Sequence, residues 1–115
     1  MEYLKTKVPE VDIKEGLYYC AGDEGFLCMM LGEFAKGDII RKMKDSYEEG
    51  DWEKYRIAVH SLKSTAKSVG IPALSERALN METAVKNKDY VYMKDNHEGL
   101  YEYSVEILKR LEKIQ

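Results

Sequence analysis

Apolar residues recur along this chain at steps of three and four positions, and they do not alternate with polar residues as they would in a half-buried strand. The only prolines, Pro9 and Pro72, lie at the edges of the periodic segments, where a proline does not interrupt a helix. A three-and-four spacing is typical of amphipathic helices. The pattern therefore predicts an all-α protein.

The breaks between periodic segments predict where each helix begins and ends, because aspartates suited to capping and glycines suited to termination stand at most of them. Gly37 is expected to kink or split the second segment. We expect helices over residues 12–20, 23–47, 52–69, 72–87 and 90–114. Four substantial helices with short connections predict an antiparallel four-helix bundle with a short extra N-terminal helix.

Length and composition limit the possibilities further. A chain of 115 residues with 44% hydrophobic and 34% charged residues is expected to form one folded domain over residues 1–115. The net charge of -3 gives no broad footprint for nucleic acid. No stretch has the roughly 20 apolar residues of a membrane span, and the first ten residues lack the apolar core of a signal peptide. We therefore expect a cytoplasmic protein with no nucleic-acid or membrane partner.

The two cysteines, Cys20 and Cys28, match no common zinc, redox or disulfide spacing. We interpret both as buried free thiols. The residue types needed for a helical metal centre are also missing, because a di-metal bundle uses Glu-x-x-His pairs on facing helices and the sequence contains none.

The segment from Trp52 to Gly70 has two faces of different chemistry when its residues are placed around a helix. His60 lies away from the apolar arc and is predicted to face solvent. Ile57 lies on the same exposed side and is a candidate to begin a docking patch. The apolar arc, which we expect to face the core, contains Trp52, Tyr55, Ala58, Val59, Leu62, Ala66 and Val69.

Cations surround His60 at helical spacing. Arg56 lies one turn before it, Lys63 and Ser64 one turn after it, and Lys67 two turns after it. A neutral imidazole has one nitrogen available as a nucleophile, and nearby positive charge favours an anion such as a phosphoryl group. Surface histidines among lysines are nevertheless common on amphipathic helices, so spacing alone leaves a solvated histidine as the alternative.

The residues around His60 resemble a known family. The run from His60 to Gly70, HSLKSTAKSVG, is similar to the signature of histidine-containing phosphotransfer (HPt) domains, which have a His-x-Leu-Lys core, small residues and a glycine ten positions after the histidine. The similarity continues downstream at residues 74–78 and 81–82, and upstream at 16–17, 22–24 and 31–34. Most of the chain is therefore covered by the resemblance.

The resemblance implies a role for each residue of the motif. His60 would be phosphorylated on its distal ring nitrogen, and Lys63 would steady the phosphoryl oxygens. Ser64, where many members have glycine, would keep the surface low for an approaching partner. A side chain of the next helix often holds the proximal ring nitrogen, and Glu82 is our candidate, with a solvated surface carboxylate as the alternative interpretation.

The implied function is that of a phosphorelay intermediate. It would accept a phosphoryl group from a receiver-domain aspartate and pass it to another receiver, its partners being receivers of hybrid histidine kinases and response regulators. Such a carrier has no catalytic turnover or cofactor of its own, because magnesium is expected on the receiver. We expect a monomer, with Arg56, Ile57 and Lys67 contacting the partner.

Two other interpretations remain open from the sequence. The first is a helical docking module that binds signalling proteins without being phosphorylated. The second is a metal-binding or enzymatic bundle, which the missing Glu-x-x-His pairs disfavour. The second histidine, His97, lies in the inward seam of the last helix, so we interpret it as a partly buried structural residue.

Overall fold

The computed structural model describes residues 2–114, and in that range it contains seven helices and no strand. In chain order they are α1 (Glu2–Lys7), α2 (Ile13–Tyr19), α3 (Glu24–Ala35), α4 (Asp38–Glu49), α5 (Trp52–Ser68), α6 (Pro72–Lys86) and α7 (Tyr90–Lys113). The predicted all-α fold is confirmed.

Helices α4 to α7 form the four-helix bundle. Helix α5 packs between α4 and α6, and α7 closes the bundle against α6, α4 and α3. The connections between these four helices are only a few residues long, so neighbouring helices run antiparallel. Helix α2 lies against α5 and α3. Helix α5, which contains His60, therefore has neighbours on several sides and only part of its surface is open to solvent.

Capping residues explain most of the helix boundaries. The side chains of Asp12, Asp23 and Asp51 each accept a hydrogen bond from a backbone N–H in the first turn of the helix that follows. Gly37 has a φ of 79°, a left-handed conformation that breaks the α-helical path. The segment expected over 23–47 is therefore two helices, α3 and α4, as the position of Gly37 allowed.

Gly70 ends α5 and also touches α2. Its φ of 79° lies in the left-handed region that favours glycine. Its carbonyl accepts a hydrogen bond of 2.6 Å from the backbone N–H of Asp12, and a Cβ at this position would lie 2.8 Å from the nitrogen of Gly16. The sequence indicated only the helix terminator. The structure adds a contact that fastens α2 to the turn between α5 and α6.

Some expectations from the sequence were wrong or incomplete. Helix α1 was not predicted, because its six residues carry only one buried apolar side chain, Leu4, and so show no helical period. Cys20 is buried, but Cys28 is exposed on α3. Trp52 begins α5 and is half-buried, since a side chain at the end of a bundle helix has fewer neighbours. Within the described residues, no helix is both long enough and apolar enough to cross a membrane.

Candidate functional site

Helix α5 buries one face and exposes His60 on the other. Tyr55, Val59 and Leu62 have no exposed surface, as the apolar arc predicted. The side chain of His60 is 54% exposed, and Ile57, one turn before it, is 52% exposed. An imidazole and an apolar side chain therefore share the solvent side of the helix.

The carboxyl group that meets His60 comes from α6. Glu82 Oε2 lies 2.5 Å from His60 Nδ1, and the Glu82 side chain is only 2% exposed. The register of the two helices is fixed nearby, where the Ser75 hydroxyl donates a 2.9 Å hydrogen bond to the backbone carbonyl of Lys63. The structure thus places Glu82 beside the imidazole and rules out a solvated surface position for it.

This hydrogen bond selects one form of the neutral imidazole. An ionised carboxylate can only accept, so Nδ1 carries the proton and donates it to Glu82. Nε2 is then the nitrogen with the free lone pair, and it has no hydrogen-bond partner among residues 2–114. An acceptor on one ring nitrogen fixes both the tautomer and the orientation of the ring.

Lys63 binds the same carboxylate. Its Nζ lies 2.7 Å from Glu82 Oε1, and its side chain is 26% exposed. The sequence placed Lys63 near the histidine, but it gave no sign that the ammonium group pairs with Glu82. The imidazole and the ammonium group are consequently held side by side by the two oxygens of one buried carboxylate.

A further cation reaches Glu82 from its own helix. Lys86 Nζ lies 3.9 Å from Glu82 Oε2, and the Lys86 side chain is 58% exposed. Sequence reasoning missed this residue. The signal was its spacing, because residues four apart on a helix are neighbours.

Glu82 is ionised at neutral pH although it is buried. Burial raises the pKa of Glu82, but the hydrogen bonds from Lys63 and His60 oppose it and together hold the pKa below its ordinary value. A buried carboxylate with two donors is stable as an anion. The negative charge that orients His60 is therefore present at physiological pH.

The other residues proposed from the sequence lie around this cluster without joining it. Ser64 is exposed one turn beyond His60. Arg56 is bound to Glu53, with Nη2 2.7 Å from Oε1. The ammonium group of Lys67 lies 6.0 Å from the centre of the Tyr19 ring. Arg56 and Lys67 thus contribute charge to the same face but make no contact with His60 or Glu82.

A groove runs between α4 and α5 beside His60. It has a volume of about 410 Å³ and is lined mainly by apolar surface. Ile39 lines it from α4, and Ile57, Ala58 and Ser61 line it from α5. The exposed side chain of Ile57 therefore lies at the border between the groove and the imidazole.

The second histidine has entirely different surroundings. His97 on α7 is only 6% exposed, its Nδ1 lies 2.7 Å from the Tyr55 hydroxyl, and its ring stacks on Tyr47 at 3.7 Å between centres. Burial lowers the pKa of His97 to about 4, against a small opposing effect of Glu48. His97 is thus a neutral core residue at physiological pH, more deeply buried than the sequence indicated.

No group of three or more His, Cys, Asp or Glu side chains in the described part of the chain could hold a metal ion. The acidic side chain that meets His60 is bound by a lysine, so the cluster is suited to an anion near Nε2. The geometry therefore offers a nucleophilic nitrogen next to positive charge.

Comparison with protein families gives one match. The family model described as Hpt domain matches residues 36–114, which include α4 to α7 and both His60 and Glu82. No curated protein and no solved structure matches the chain. The matched region coincides with the four-helix bundle.

Proposed function

The chain belongs to the Hpt domain family, whose members transfer phosphoryl groups through a histidine in two-component signalling, and from that premise we propose that it is a phosphorelay intermediate with His60 as the carrier. It accepts the group from a receiver-domain aspartate and passes it to another receiver. The observation that carries the proposal is the 2.5 Å contact between His60 Nδ1 and the buried Glu82 carboxylate, which in the neutral ring places the proton on Nδ1 and the lone pair on Nε2 of a half-exposed side chain.

The transfer step needs no acid or base besides the two reacting groups and Glu82. The lone pair of His60 Nε2 attacks the phosphorus of the receiver's phosphoaspartate. The Nε2–P bond forms, the P–O bond to the aspartate breaks, and the aspartate leaves as a carboxylate. The ring is then a phosphorylated imidazolium that keeps its proton on Nδ1, and the Glu82 carboxylate stabilises the positive charge.

The same hydrogen bond supports the return step. When a second receiver's aspartate attacks the phosphorus, the Nε2–P bond breaks and its electrons return to the ring as a lone pair. The leaving group is a neutral imidazole because Nδ1 has kept its proton throughout. A carboxylate that holds this proton therefore favours transfer in both directions, as a carrier requires.

Lys63 is the proposed ligand of the phosphoryl oxygens. It lies three residues after His60 on the same side of α5 and is already fixed beside the ring by Glu82. Ser64 is small and exposed, which leaves space where the receiver's active site must approach most closely.

The partner surface in this proposal is centred on Ile57. The half-exposed isoleucine and the groove between α4 and α5 offer apolar contact next to the reacting nitrogen. Arg56 and Lys67 add positive charge at the edge of this face, which speeds association with an acidic partner more than it strengthens the complex. Because the receiver supplies the aspartate and its magnesium ion, the protein itself acts as a carrier without catalytic turnover.

The rival function is a docking module that binds signalling proteins without being phosphorylated. The arrangement around His60 favours the carrier, since docking alone does not need a buried carboxylate that orients an exposed imidazole. The two functions differ in whether label reaches the protein.

The test uses phosphoramidate, a small phosphoryl donor whose leaving group is ammonia, labelled with ³²P. The wild-type protein is expected to gain an acid-labile, base-stable label that moves to a receiver domain with Mg²⁺, and His60→Gln is expected to gain none. His97→Gln is the matched control and should still be labelled. An unlabelled wild type would favour the docking module. A labelled His60→Gln with an unchanged far-ultraviolet helical signal would contradict His60 as the carrier.

A further inference from the structure

Among the described residues, Lys86 also lies close to Glu82 but has no role in the proposed transfer. It joins the cluster from α6 and lies 3.9 Å from Oε2, the oxygen that accepts the proton of His60. Lys63 holds the other oxygen at 2.7 Å. The carboxylate is therefore flanked by one tightly bound ammonium group and one that is close but not in hydrogen-bond contact.

Phosphorylation changes what Lys63 must do. A phosphoryl group on Nε2 adds close to two negative charges beside Lys63, and the ammonium group is expected to turn toward the phosphoryl oxygens. Glu82 is only 2% exposed while Lys63 covers it, so the movement of Lys63 uncovers a carboxylate oxygen that was buried and paired. The imidazolium of phosphorylated His60 still pairs with Oε2, but Oε1 loses the ammonium group that it accepted from, and an unpaired buried carboxylate oxygen is destabilised.

Lys86 is close enough to bind the Glu82 carboxylate when Lys63 moves away. It is 58% exposed and has no closer partner among the described residues, so its side chain is free to move from 3.9 Å into contact. The other nearby cation, Arg56, is already occupied, with Nη2 2.7 Å and Nε 3.4 Å from the Glu53 carboxylate. Lys86 is therefore the available replacement.

We infer that Lys86 is a positioning residue that takes over Glu82 when Lys63 moves to the phosphoryl group on His60. This inference rests on the proposed function and adds to it a residue that touches neither the phosphoryl group nor the imidazole. With Lys86 in place, Glu82 keeps a lysine partner in both states, in addition to the ring of His60. Without it, Glu82 and the phosphoryl group compete for Lys63, and the phosphorylated state becomes less stable.

The first measurement is the rate at which phosphoramidate labels His60 and the fraction labelled at equilibrium with a receiver. Lys86→Met is expected to lower both about two- to fivefold, the range for an ion pair with one exposed member. Lys86→Arg should restore them, because the charge returns. Lys109→Met, a change of an exposed lysine on α7 with no ion pair among residues 2–114, is the matched control and should behave as wild type.

A double-mutant cycle distinguishes two roles of Lys86, the replacement of Lys63 at Glu82 and direct binding of the phosphoryl oxygens. In a Lys63→Met background, Lys86 is the only lysine bound to Glu82 in both states, so adding Lys86→Met should no longer change the equilibrium between them. If Lys86 instead bound the phosphoryl oxygens directly, its effect would persist or grow in that background, and the inference would be overturned.

The outcomes also separate this inference from the proposed function. A wild-type protein that takes no label contradicts both. A labelled wild type with an unaffected Lys86→Met leaves the carrier function intact and overturns the role of Lys86. Thermal melting of each variant checks that the fold survives, and rescue by Lys86→Arg excludes loss of structure as the cause of a slower reaction.

Discussion

The two histidines of this protein are bound through the same ring atom, yet they are suited to opposite tasks. In His60, Nδ1 meets a carboxylate and the side chain is 54% exposed, whereas in His97, Nδ1 meets a hydroxyl and the residue is 6% exposed. His60 has lysines around its partner, and His97 has tyrosine rings. A hydrogen bond to Nδ1 is therefore not enough to make a carrier. Access to Nε2 and nearby positive charge make the difference.

The largest expected effect is the loss of stability that follows when the buried histidine is removed. His97→Ala leaves a cavity beside Tyr47 and strands the buried hydroxyl of Tyr55, so we expect the free energy of unfolding to fall by about 3–4 kcal/mol. Chemical denaturation measures this. Labelling of folded His97→Ala by phosphoramidate should remain at the wild-type rate.

The matched control is Asn96→Ala, an exposed neighbour on α7 whose loss is expected to change stability by no more than about 0.5 kcal/mol. If His97→Ala lost its label while still folded, the two histidines would not be independent, and the division of tasks between them would be wrong.

The next effect comes from pH. The folded protein holds the pKa of His97 at about 4, below its ordinary value of 6.5, so the unfolded chain binds the proton more readily between these values. The contribution of His97 to stability is therefore fully present above about pH 6.5. The free energy of unfolding should fall by up to about 3 kcal/mol as the pH is lowered toward 4. The groups facing His97 are Tyr47 and Glu48 from α4 and Tyr55 from α5.

Denaturation at a series of pH values in the wild type and in His97→Ala isolates this effect, since the variant should show no loss in that window. Glu82 acts at lower pH. Its pKa is depressed in the folded protein, so its contribution is lost only as the pH falls below the ordinary range of a glutamate. Equal pH dependence in both proteins would show that His97 is not the titrating group.

A smaller effect is expected from Glu82→Gln, which keeps the shape of the side chain but removes its charge. The amide oxygen can still accept from Nδ1, but it stabilises the phosphorylated ring less and no longer pairs with Lys63. We expect labelling by phosphoramidate to slow about tenfold, in line with the loss of a residue that orients a reacting group. Glu106→Gln, an exposed glutamate on α7, should have no effect, and an unchanged rate in Glu82→Gln would show that the charge of Glu82 does not support the reaction of His60.

The smallest effect is expected from Ile57→Ala, because it concerns docking alone. Removing a half-exposed apolar side chain next to His60 should reduce the rate of transfer from a phosphorylated receiver by a few-fold, about 1 kcal/mol or less. Labelling by phosphoramidate should not change, since this small donor needs no docking surface. An equal loss with both donors would mean that Ile57 supports the imidazole instead of the partner.

The fold was largely predictable because each bundle helix has a clear apolar period and a capped start. His97 was expected in the inward seam of α7 and is buried, as is Ser104 one heptad later on the same helix. Helix α1 was not predictable, since Leu4 is its only buried apolar side chain among residues 3–7 and a single apolar position sets no period. The contact of Gly70 with α2 also needed coordinates, because it joins backbone atoms far apart in sequence.

The site was predictable in part. Helical spacing placed His60 outward, and an antiparallel turn at Gly70 puts residues near 81 and 82 opposite it, which made Glu82 the candidate. The pairing of Lys63 with Glu82 depends on the rotamers of both side chains and on the burial of the carboxylate. The spacing of residues along a helix predicts neither. Lys86 was visible only as a residue four positions after Glu82, a pattern too common on helices to single it out.

The most direct test locates the phosphoryl group within the imidazole. Protein labelled with ¹⁵N at histidine and treated with phosphoramidate should show coupling between ³¹P and Nε2 of His60, with Nδ1 still protonated and the signals of His97 unchanged. Phosphorus bound to Nδ1 of His60 or to either nitrogen of His97 would contradict the account.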